Sequence, residues 1–469
     1  MRVLIVHYHL KPGGVTTVIR RQLSALAALG IDAAVLSGEA APGFSGSVSV
    51  EPALAYDEPL PGQAGCPDHP DPARVAAIIA AIRLEAGALG DGTVIHVHNP
   101  TIRKNASMLA ALAELASTGR PLVLHVHDLA EDWRPDVYSS QPYPQGAFWA
   151  AINNFDAGAL KKAGALSVTF LPNPVPCPVR QETSARMPGP GLVLCPVRGI
   201  RRKNLGEAVL LSLFVRPGSH VGITLPPLNP RELPHYDAWR KTAARLAAPV
   251  SFGLGLTRSL DELYAESRAV LTTSIKEGFG MSFLEPASRG RATLGRRLPR
   301  VVPDFEAAGL AFPALYDAIA VPAGFFDADA FASRIRGVVD SALEAFGHPA
   351  VCSGAEVVHS ILETGGAGPD FGRLDELAQA QVLETLANDR RAMAAFLMAN
   401  PFVEHWDQTA EELEPPPVES LEPWSEAHYG ERLVSLYQKV LEQGGGPAPD
   451  KQSLLEQYLG AEAFHGVGI

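Results

Sequence analysis

The stretch RVLIVHYHLKPGGVTTVIRRQLSALAALG, residues 2–30, joins two different patterns through a pair of glycines. Residues 2–7 are a short apolar run rich in β-branched side chains, which is typical of a strand buried in a parallel sheet. Apolar side chains then recur at helical spacing from Val15 to Leu26, and Gly30 can end that helix. A strand that leads directly into a helix is the repeating unit of α/β folds, so the stretch predicts a parallel, doubly wound sheet.

The same alternation continues along the chain in two blocks. The first block has a predicted helix at 72–89 and predicted strands at 33–37, 93–99, 121–128 and 165–174. A segment rich in Pro and Gly, residues 176–191, reads as a linker. After it, strands are predicted at 191–199, 220–225, 250–254 and 269–274. Residues 304–424 are mostly helical, and residues 426–443 form an amphipathic helix, so we expect two domains of one class.

Net charge, apolar runs and cysteine spacing make several classes of function unfavourable. The 469 residues carry a net charge of −12, which disfavours general binding to nucleic acid or to anionic lipid. No run of 18 apolar residues and no signal peptide is recognisable, so we expect a cytoplasmic protein without stable membrane association. The four cysteines are scattered without a CxxC pair, which favours reduced thiols over disulfides or zinc.

The stretch KEGFGMSFLEP, residues 276–286, places two glutamates eight positions apart around a glycine turn. Glu277 lies in the predicted loop, and Glu285 lies in the helix that follows. Free N–H groups at the start of that helix would bind an anion, and carboxylates bind vicinal hydroxyls. A phosphate with a diol on either side is a nucleotide-sugar, although two solvated glutamates would leave the same pattern.

Two further loops could serve the same ligand. In CPVRGIRRKN, residues 195–204, Arg198 and Lys203 could together neutralise a diphosphate, or the loop could be a basic surface turn. Gly13 and Gly14 would let a phosphate or sugar approach the first helix, or they could simply make a tight turn. The dinucleotide fingerprint GxGxxG is missing here.

Two pairs of histidines follow neighbouring strands, in HVHN (96–99) and HVHD (125–128). The carboxyl ends of parallel strands are where open α/β sheets bind ligands. Buried structural histidines are the simpler interpretation. A zinc site is disfavoured because no carboxylate or cysteine stands at ligand spacing.

Taken together, these motifs resemble those of a known enzyme family. EGFGMSFLE (277–285) resembles the E-x7-E signature of retaining GT-B glycosyltransferases, most similar to glycosyltransferase family 4. Three further stretches resemble family motifs and follow each other in the family's order. They are VLHVHD, LPNPV, in which Pro174 replaces a glycine, and VRGIRRKN. Residues 1–290 match the family pattern well, and residues 300–425 match it poorly.

The resemblance implies an α/β fold of the GT-B type, in which two doubly wound Rossmann-like domains face each other across a cleft. Residues 1–180 would form the acceptor-side domain, and residues 188–424 the domain that binds the nucleotide-sugar. Residues 426–469 would cross back to the first domain.

The resemblance also implies roles for single residues. His127 would contact the transferred sugar, while Arg198 and Lys203 would hold the diphosphate and stabilise the leaving group. Glu277 would bind the sugar hydroxyls, and Glu285 the ribose diol. The remaining donor-binding positions would be Gly13, Gly14, Gly278, Phe279, Gly280, Met281 and Ser282. No metal ion and no cofactor is expected.

The implied activity is retaining, metal-independent transfer of a hexose from a UDP- or GDP-linked sugar. A basic amphipathic helix is missing at 72–89 and 104–117, which favours a small soluble acceptor, either a sugar or an anionic polyol such as a glycerate. Five arginines between 289 and 300 depart from the family pattern and indicate either an anionic acceptor or solvated side chains. An epimerase, a phosphorylase and a non-catalytic sugar-nucleotide-binding partner remain alternatives.

Overall fold

The computed structural model describes residues 1–41, 44, 47–58, 67, 69–175, 190–347, 351–364, 366 and 368–468. The chain divides into two compact units. The first unit contains residues 1–175, 342–351 and 423–459, and the second contains residues 176–341, 352–422 and 460–469. Nearly all of the linker predicted at 176–191 lies outside the described residues, as do Cys66 and Cys177.

The first unit is built on a seven-stranded sheet in which all described pairings are parallel. The strands are β1 (Arg2–His7), β2 (Asp32–Ser37), β3 (Val48–Val50), β4 (Thr93–His98), β5 (Leu122–Val126), β6 (Phe148–Ala151) and β7 (Val168–Phe170). Their order is β3-β2-β1-β4-β5-β6-β7. The order reverses between β1 and β4, and ligands of such sheets bind beyond the carboxyl ends of the strands at this point.

Helices cover both faces of this sheet, so its central strands are buried on both sides. The helices in the first part of the chain are α1 (Gly14–Ala28), α2 (Pro72–Leu89), α3 (Met108–Ser117) and α4 (Asn154–Lys162). Helices α2, α3 and α4 cover one face, and α1 covers the other. The sequence predicted α2 with its observed bounds.

The second unit has a six-stranded parallel sheet with the order β10-β9-β8-β11-β12-β13. Its strands are β8 (Leu192–Arg198), β9 (His220–Leu225), β10 (Val250–Phe252), β11 (Ala269–Thr272), β12 (Ala292–Arg296) and β13 (Leu315–Tyr316). The order reverses between β8 and β11. The loops after these two strands therefore lie side by side.

In the part of the chain that the structure describes, ten helices belong wholly or partly to the second unit. They are α5 (Leu205–Ser212), α6 (Leu233–Arg245), α7 (Leu260–Glu266), α8 (Met281–Ser288), α9 (Val302–Glu306), α10 (Ala328–Phe346), α11 (Gly354–Leu362), α12 (Glu376–Asn388), α13 (Arg390–Ala399) and α14 (Thr409–Glu412). Within the residues that the structure describes, no helix is both long and apolar enough to cross a membrane.

The chain then returns to the first unit through α15 (Glu426–Gln443) and α16 (Lys451–Tyr458). Helix α15 packs against α1, as its amphipathic pattern requires. The prediction had joined all of residues 426–469 to the first domain, but residues 460–469 group with the second unit. There Val467 is 2% exposed, and its turn packs against the turn Arg201–Lys203.

Candidate functional site

The end of β8 and the loop after it, residues 199–204, carry the predicted basic pair of the second unit, Arg198 and Lys203. Arg198 ends the strand, and its Nη1 donates to the Pro226 carbonyl oxygen at 3.1 Å. A single 3₁₀ turn, Arg201–Lys203, then leads through Asn204 into α5. Asn204 has a φ of 50°, a left-handed conformation that asparagine tolerates better than most residues. We call residues 199–204 the β8 loop.

The loop after β11, residues 273–280, is tied to the β8 loop by hydrogen bonds. Thr273 Oγ1 donates to the Lys203 carbonyl oxygen at 2.8 Å, and the Ile275 N–H donates to the Arg202 carbonyl oxygen at 3.0 Å. The Lys203 ammonium donates to Glu277 Oε1, and Ser274 Oγ donates to the same oxygen at 2.7 Å. We call residues 273–280 the β11 loop. The structure thus brings Lys203 and Glu277 into direct contact.

Glu277 is ionised in this setting. Its burial would raise the pKa, but the positive charges of Lys203 and Arg202 and the hydrogen bonds from Lys203 and Ser274 outweigh burial. The pKa of Glu277 is therefore below its ordinary value. A carboxylate held in its charged form accepts hydrogen bonds and donates none, which suits a partner rich in hydroxyl groups.

Helix α8 begins at the end of the β11 loop. Gly280 has a φ of 88°, and a Cβ there would lie 2.4 Å from Val301 Cγ1, so the turn into the helix requires glycine. Phe279 is buried edge-on against Phe305 with ring centroids 5.6 Å apart. Met281 and Ser282 are the first two residues of α8, so their backbone N–H groups have no partner within the helix.

Glu285 is half-buried and lies one turn into α8. The pKa of Tyr264 is raised mainly by burial and further by the negative charge of Glu285. Pro286 follows within the same helix, which ends at Ser288. The short helix predicted from that proline is therefore observed. Glu277 and Glu285 both lie in the second unit, at the carboxyl side of β11.

The first unit holds the other predicted residues. His127 follows β5 and is 5% exposed, and burial lowers its pKa to about 4. Gly13 and Gly14 are exposed at the start of α1. Neither has a left-handed φ, and an added Cβ at Gly14 would meet nothing within 4 Å. The fold itself does not require these two glycines, unlike Gly280.

Three histidines of the first unit, His96, His98 and His125, have ring nitrogens close enough to share a metal ion, within 4.8 Å of one another. Five of their six ring nitrogens already have hydrogen-bond partners, all within the protein. A metal ion would have to replace these bonds. The donor set therefore fits a hydrogen-bonded network better than a metal centre.

The arginines between 289 and 300 are neither a free anion site nor simply solvated. Arg296 is 3% exposed and forms ion pairs with Glu207 and Asp370 at 2.6 and 2.7 Å. Arg291 is also buried and donates to the carbonyl oxygens of Tyr264 and Ala265. The sequence missed these roles because strand β12 was not predicted in this segment, and the partners of its arginines are distant in sequence.

Residues 13–169 match the model of a protein family described as "Glycosyl transferase 4-like domain". A mannosylglucosyl-3-phosphoglycerate synthase from Petrotoga mobilis is 28% identical over 344 residues, which is 64% of this chain and 66% of that protein. The chain thus spans just under two thirds of that relative's length.

Two solved structures share the fold. A glycosyltransferase from Rickettsia africae ESF-5 aligns with a TM-score of 0.54 at 12% identity, covering 94% of this chain and 99% of the other. A sucrose-phosphate synthase from Thermosynechococcus elongatus aligns with a TM-score of 0.52 at 13% identity, covering 94% and 98%.

The two α/β units and these similarities show the GT-B fold, as predicted. More particularly, residues 13–169 match the model of a glycosyl transferase 4-like domain, which agrees with the resemblance to family 4. The roles of the single residues stay predictions.

Proposed function

We propose that the chain is a retaining, metal-independent glycosyltransferase that moves a hexose from a UDP- or GDP-linked sugar to a small anionic acceptor. The observation that carries this proposal is the contact of Lys203 with Glu277 between the β8 and β11 loops. In this proposal Lys203 is the cation that binds the diphosphate, and Glu277 is the carboxylate that binds the sugar. The bond between sugar and diphosphate would break between these two groups.

In this proposal the second unit holds the donor. Arg198 and Lys203 stabilise the charge that develops on the leaving diphosphate, a task that fixed positive groups perform without reorganisation. Arg198 uses Nη1 on the Pro226 carbonyl oxygen and keeps other N–H groups for a phosphate. The N–H groups of Met281 and Ser282 meet the distal phosphate, and Glu285 accepts from the ribose hydroxyls.

The nature of the acceptor is supported by the relative from Petrotoga mobilis, whose name describes a glycosylated phosphoglycerate as its product. A phosphorylated or unphosphorylated glycerate, free or already glycosylated, is an anionic polyol of the predicted kind. We therefore place the acceptor of this chain in that class. No cofactor or metal ion takes part, because Arg198 and Lys203 supply the positive charge.

The test measures release of nucleoside diphosphate from UDP-glucose, GDP-glucose, GDP-mannose and ADP-glucose. Each donor is combined with glycerate, 3-phosphoglycerate, their α-glucosides, and glucose as an uncharged control. We expect diphosphate release with an anionic acceptor, in the presence of EDTA, and an axial anomeric bond in the product by NMR. An inverted bond or full dependence on a divalent ion would overturn the mechanism, and reaction with glucose alone would overturn the acceptor class.

A further inference from the structure

A buried hydrogen-bond network in the first unit begins at Gln22, a residue of α1. Gln22 Oε1 lies 2.7 Å from His98 Nε2, and His98 Nδ1 lies 2.9 Å from His127 Nε2. On its other side, Gln22 Nε2 donates to the Tyr437 hydroxyl at 2.8 Å. Two chains of hydrogen bonds, which we call the arms of the network, thus start at the Gln22 amide. The first arm runs through His98 and ends at His127.

The second arm continues from Tyr437, a residue of α15. Its hydroxyl lies 2.9 Å from His96 Nδ1, and His96 Nε2 lies 3.1 Å from His125 Nδ1. Five residues of the network are 0% exposed, namely Gln22, Tyr437, His96, His98 and His125. The network is therefore shielded from bulk water.

All four imidazoles are neutral at physiological pH. Burial lowers the pKa of His96 to about 3 and that of His127 to about 4. Burial and neighbouring histidines hold the pKa of His98 and of His125 well below 6.5. A neutral imidazole has one nitrogen that donates and one that accepts, so each hydrogen bond decides the direction of the next.

The amide of Gln22 decides the direction of both arms. Its oxygen can only accept, so His98 carries its proton on Nε2 and accepts at Nδ1. His127 must then donate from Nε2, which leaves Nδ1 with a lone pair. On the other arm, the Tyr437 hydroxyl accepts from the amide and donates to His96, and His96 donates from Nε2 to His125.

The tautomers follow from the orientation of the Gln22 amide in the structure, with Oε1 toward His98 and Nε2 toward Tyr437. Because His125 Nδ1 then accepts from His96, the proton of His125 lies on Nε2. That nitrogen has no hydrogen-bond partner among the described residues. The opposite orientation of the amide would reverse the direction of every bond in both arms.

We propose that Gln22 and Tyr437 hold these four histidines in the Nε2–H tautomer, so that His127 offers Nδ1 to the sugar as an acceptor for a hydroxyl proton. Among the described residues, His127 Nδ1 has no hydrogen-bond partner of its own. The inference rests on the proposed function, in which His127 contacts the transferred sugar. Gln22, Tyr437 and His98 are positioning residues, since they act only through His127.

The test reads the tautomer directly and does not depend on turnover. Protein labelled with ¹⁵N-histidine gives long-range ¹H–¹⁵N spectra that separate a protonated ring nitrogen from a bare one. Variants of each histidine assign the signals. We expect His96, His98, His125 and His127 all as the Nε2–H form. A wild-type His127 with its proton on Nδ1, or with both nitrogens protonated at pH 7, would overturn the proposal.

Two variants of Gln22 then separate positioning from packing. Gln22→Glu keeps an acceptor for His98, so His127 should stay in the Nε2–H form. Gln22→Leu removes that acceptor, so His127 should show a mixture of tautomers and kcat should fall about tenfold, with the Kd for nucleoside diphosphate unchanged. Retention of pure Nε2–H at His127 in Gln22→Leu would contradict the proposal. If the wild type shows the expected tautomers but transfers no sugar, the proposed function fails while the tautomer assignment stands.

Discussion

The Lys203 ammonium and the Glu277 carboxylate form an ion pair whose side chains are only 14% and 10% exposed. The pair connects two loops that are far apart in sequence but adjacent in the sheet, because β8 and β11 are neighbours. Removing one partner leaves the other charge buried without compensation. This relationship leads to the first two predictions.

Lys203→Met and Glu277→Gln should each lower the free energy of unfolding by about 3 kcal/mol, the usual cost of breaking a buried pair. The double variant should lose less than the sum of the two. Urea denaturation of the four proteins measures this coupling. Arg240→Ala, which breaks the exposed Arg240–Asp237 pair, is the control and should change stability by less than about 1 kcal/mol. Additive losses would show that the pair is not coupled.

The stability that Glu277 contributes should depend on pH in a defined direction. Its pKa is lower in the folded protein than its ordinary value of 4.5, so the stabilisation is complete above that value. It is lost as the pH falls through the lowered pKa of the folded state. The difference in unfolding free energy between wild type and Glu277→Gln should therefore shrink on acidification below pH 4.5. A difference that grew on acidification would contradict the ionised assignment.

Removal of either glutamate of the E-x7-E motif should change a different property, donor binding for Glu285 and kcat for Glu277. Glu285→Ala should weaken donor and nucleoside diphosphate binding similarly and spare kcat, because the ribose changes little in the transition state. Glu277→Ala should lower kcat by about 10²–10³-fold, as for other preorganised electrostatic contacts, and keep diphosphate binding. Steady-state kinetics and calorimetry measure both. Loss of diphosphate binding in a folded Glu277→Ala protein would refute this division of roles.

Gly14 and Gly280 should respond oppositely to alanine. Gly14→Ala adds a methyl group to open space at the first residue of α1, so stability should stay level or rise by about 0.4–1 kcal/mol. Activity should nevertheless fall if a ligand approaches there. Gly280→Ala should lose at least about 1–2 kcal/mol, because its backbone is left-handed and Val301 blocks the Cβ. Thermal melts with parallel kinetics measure both; an unaffected Gly14→Ala enzyme would remove Gly14 from the site.

Tyr429 and Tyr437 offer a matched pair on α15. Both are fully buried, but among the described residues the Tyr429 hydroxyl has no hydrogen-bond partner, whereas that of Tyr437 has two. Tyr437→Phe should cost about 1–3 kcal/mol, because it leaves buried groups on Gln22 and His96 unpaired. Tyr429→Phe should be neutral or slightly stabilising and should leave activity unchanged. Equal losses in the two variants would show that the hydroxyl bonds of Tyr437 contribute nothing.

The sequence predicted most of the long, strongly patterned elements. Helices α2 and α15 and strands β1 and β9 have the predicted bounds, because their apolar periodicity matches the surface they bury. The short strands β3 and β6 were missed, since three or four residues show no period. Strand β12 was missed because Arg296 sits inside it, and only the fold reveals its buried partners, Glu207 and Asp370.

The sequence singles out Glu277 and Glu285 as candidate site residues because their chemistry and their spacing both fit a nucleotide-sugar, and their roles stay predictions. Gln22 and Tyr437 gave no such signal. They are 415 positions apart, and each looks like an ordinary residue of an amphipathic helix. Only the packing of α15 on α1 brings them together beside His98.

The placement of Val467 against the Arg201–Lys203 turn has a consequence for how the chain matures on the ribosome. Nascent domains usually fold in order, from the N-terminus onward. Here neither unit is a continuous segment, since the first is completed only by residues 423–459 and the second only by residues 460–469. A nascent chain halted before residue 460 would carry both the β8 and β11 loops but not the segment that supports the Arg201–Lys203 turn. If the chain has the proposed function, donor binding should therefore reach its full level only after translation has passed residue 460.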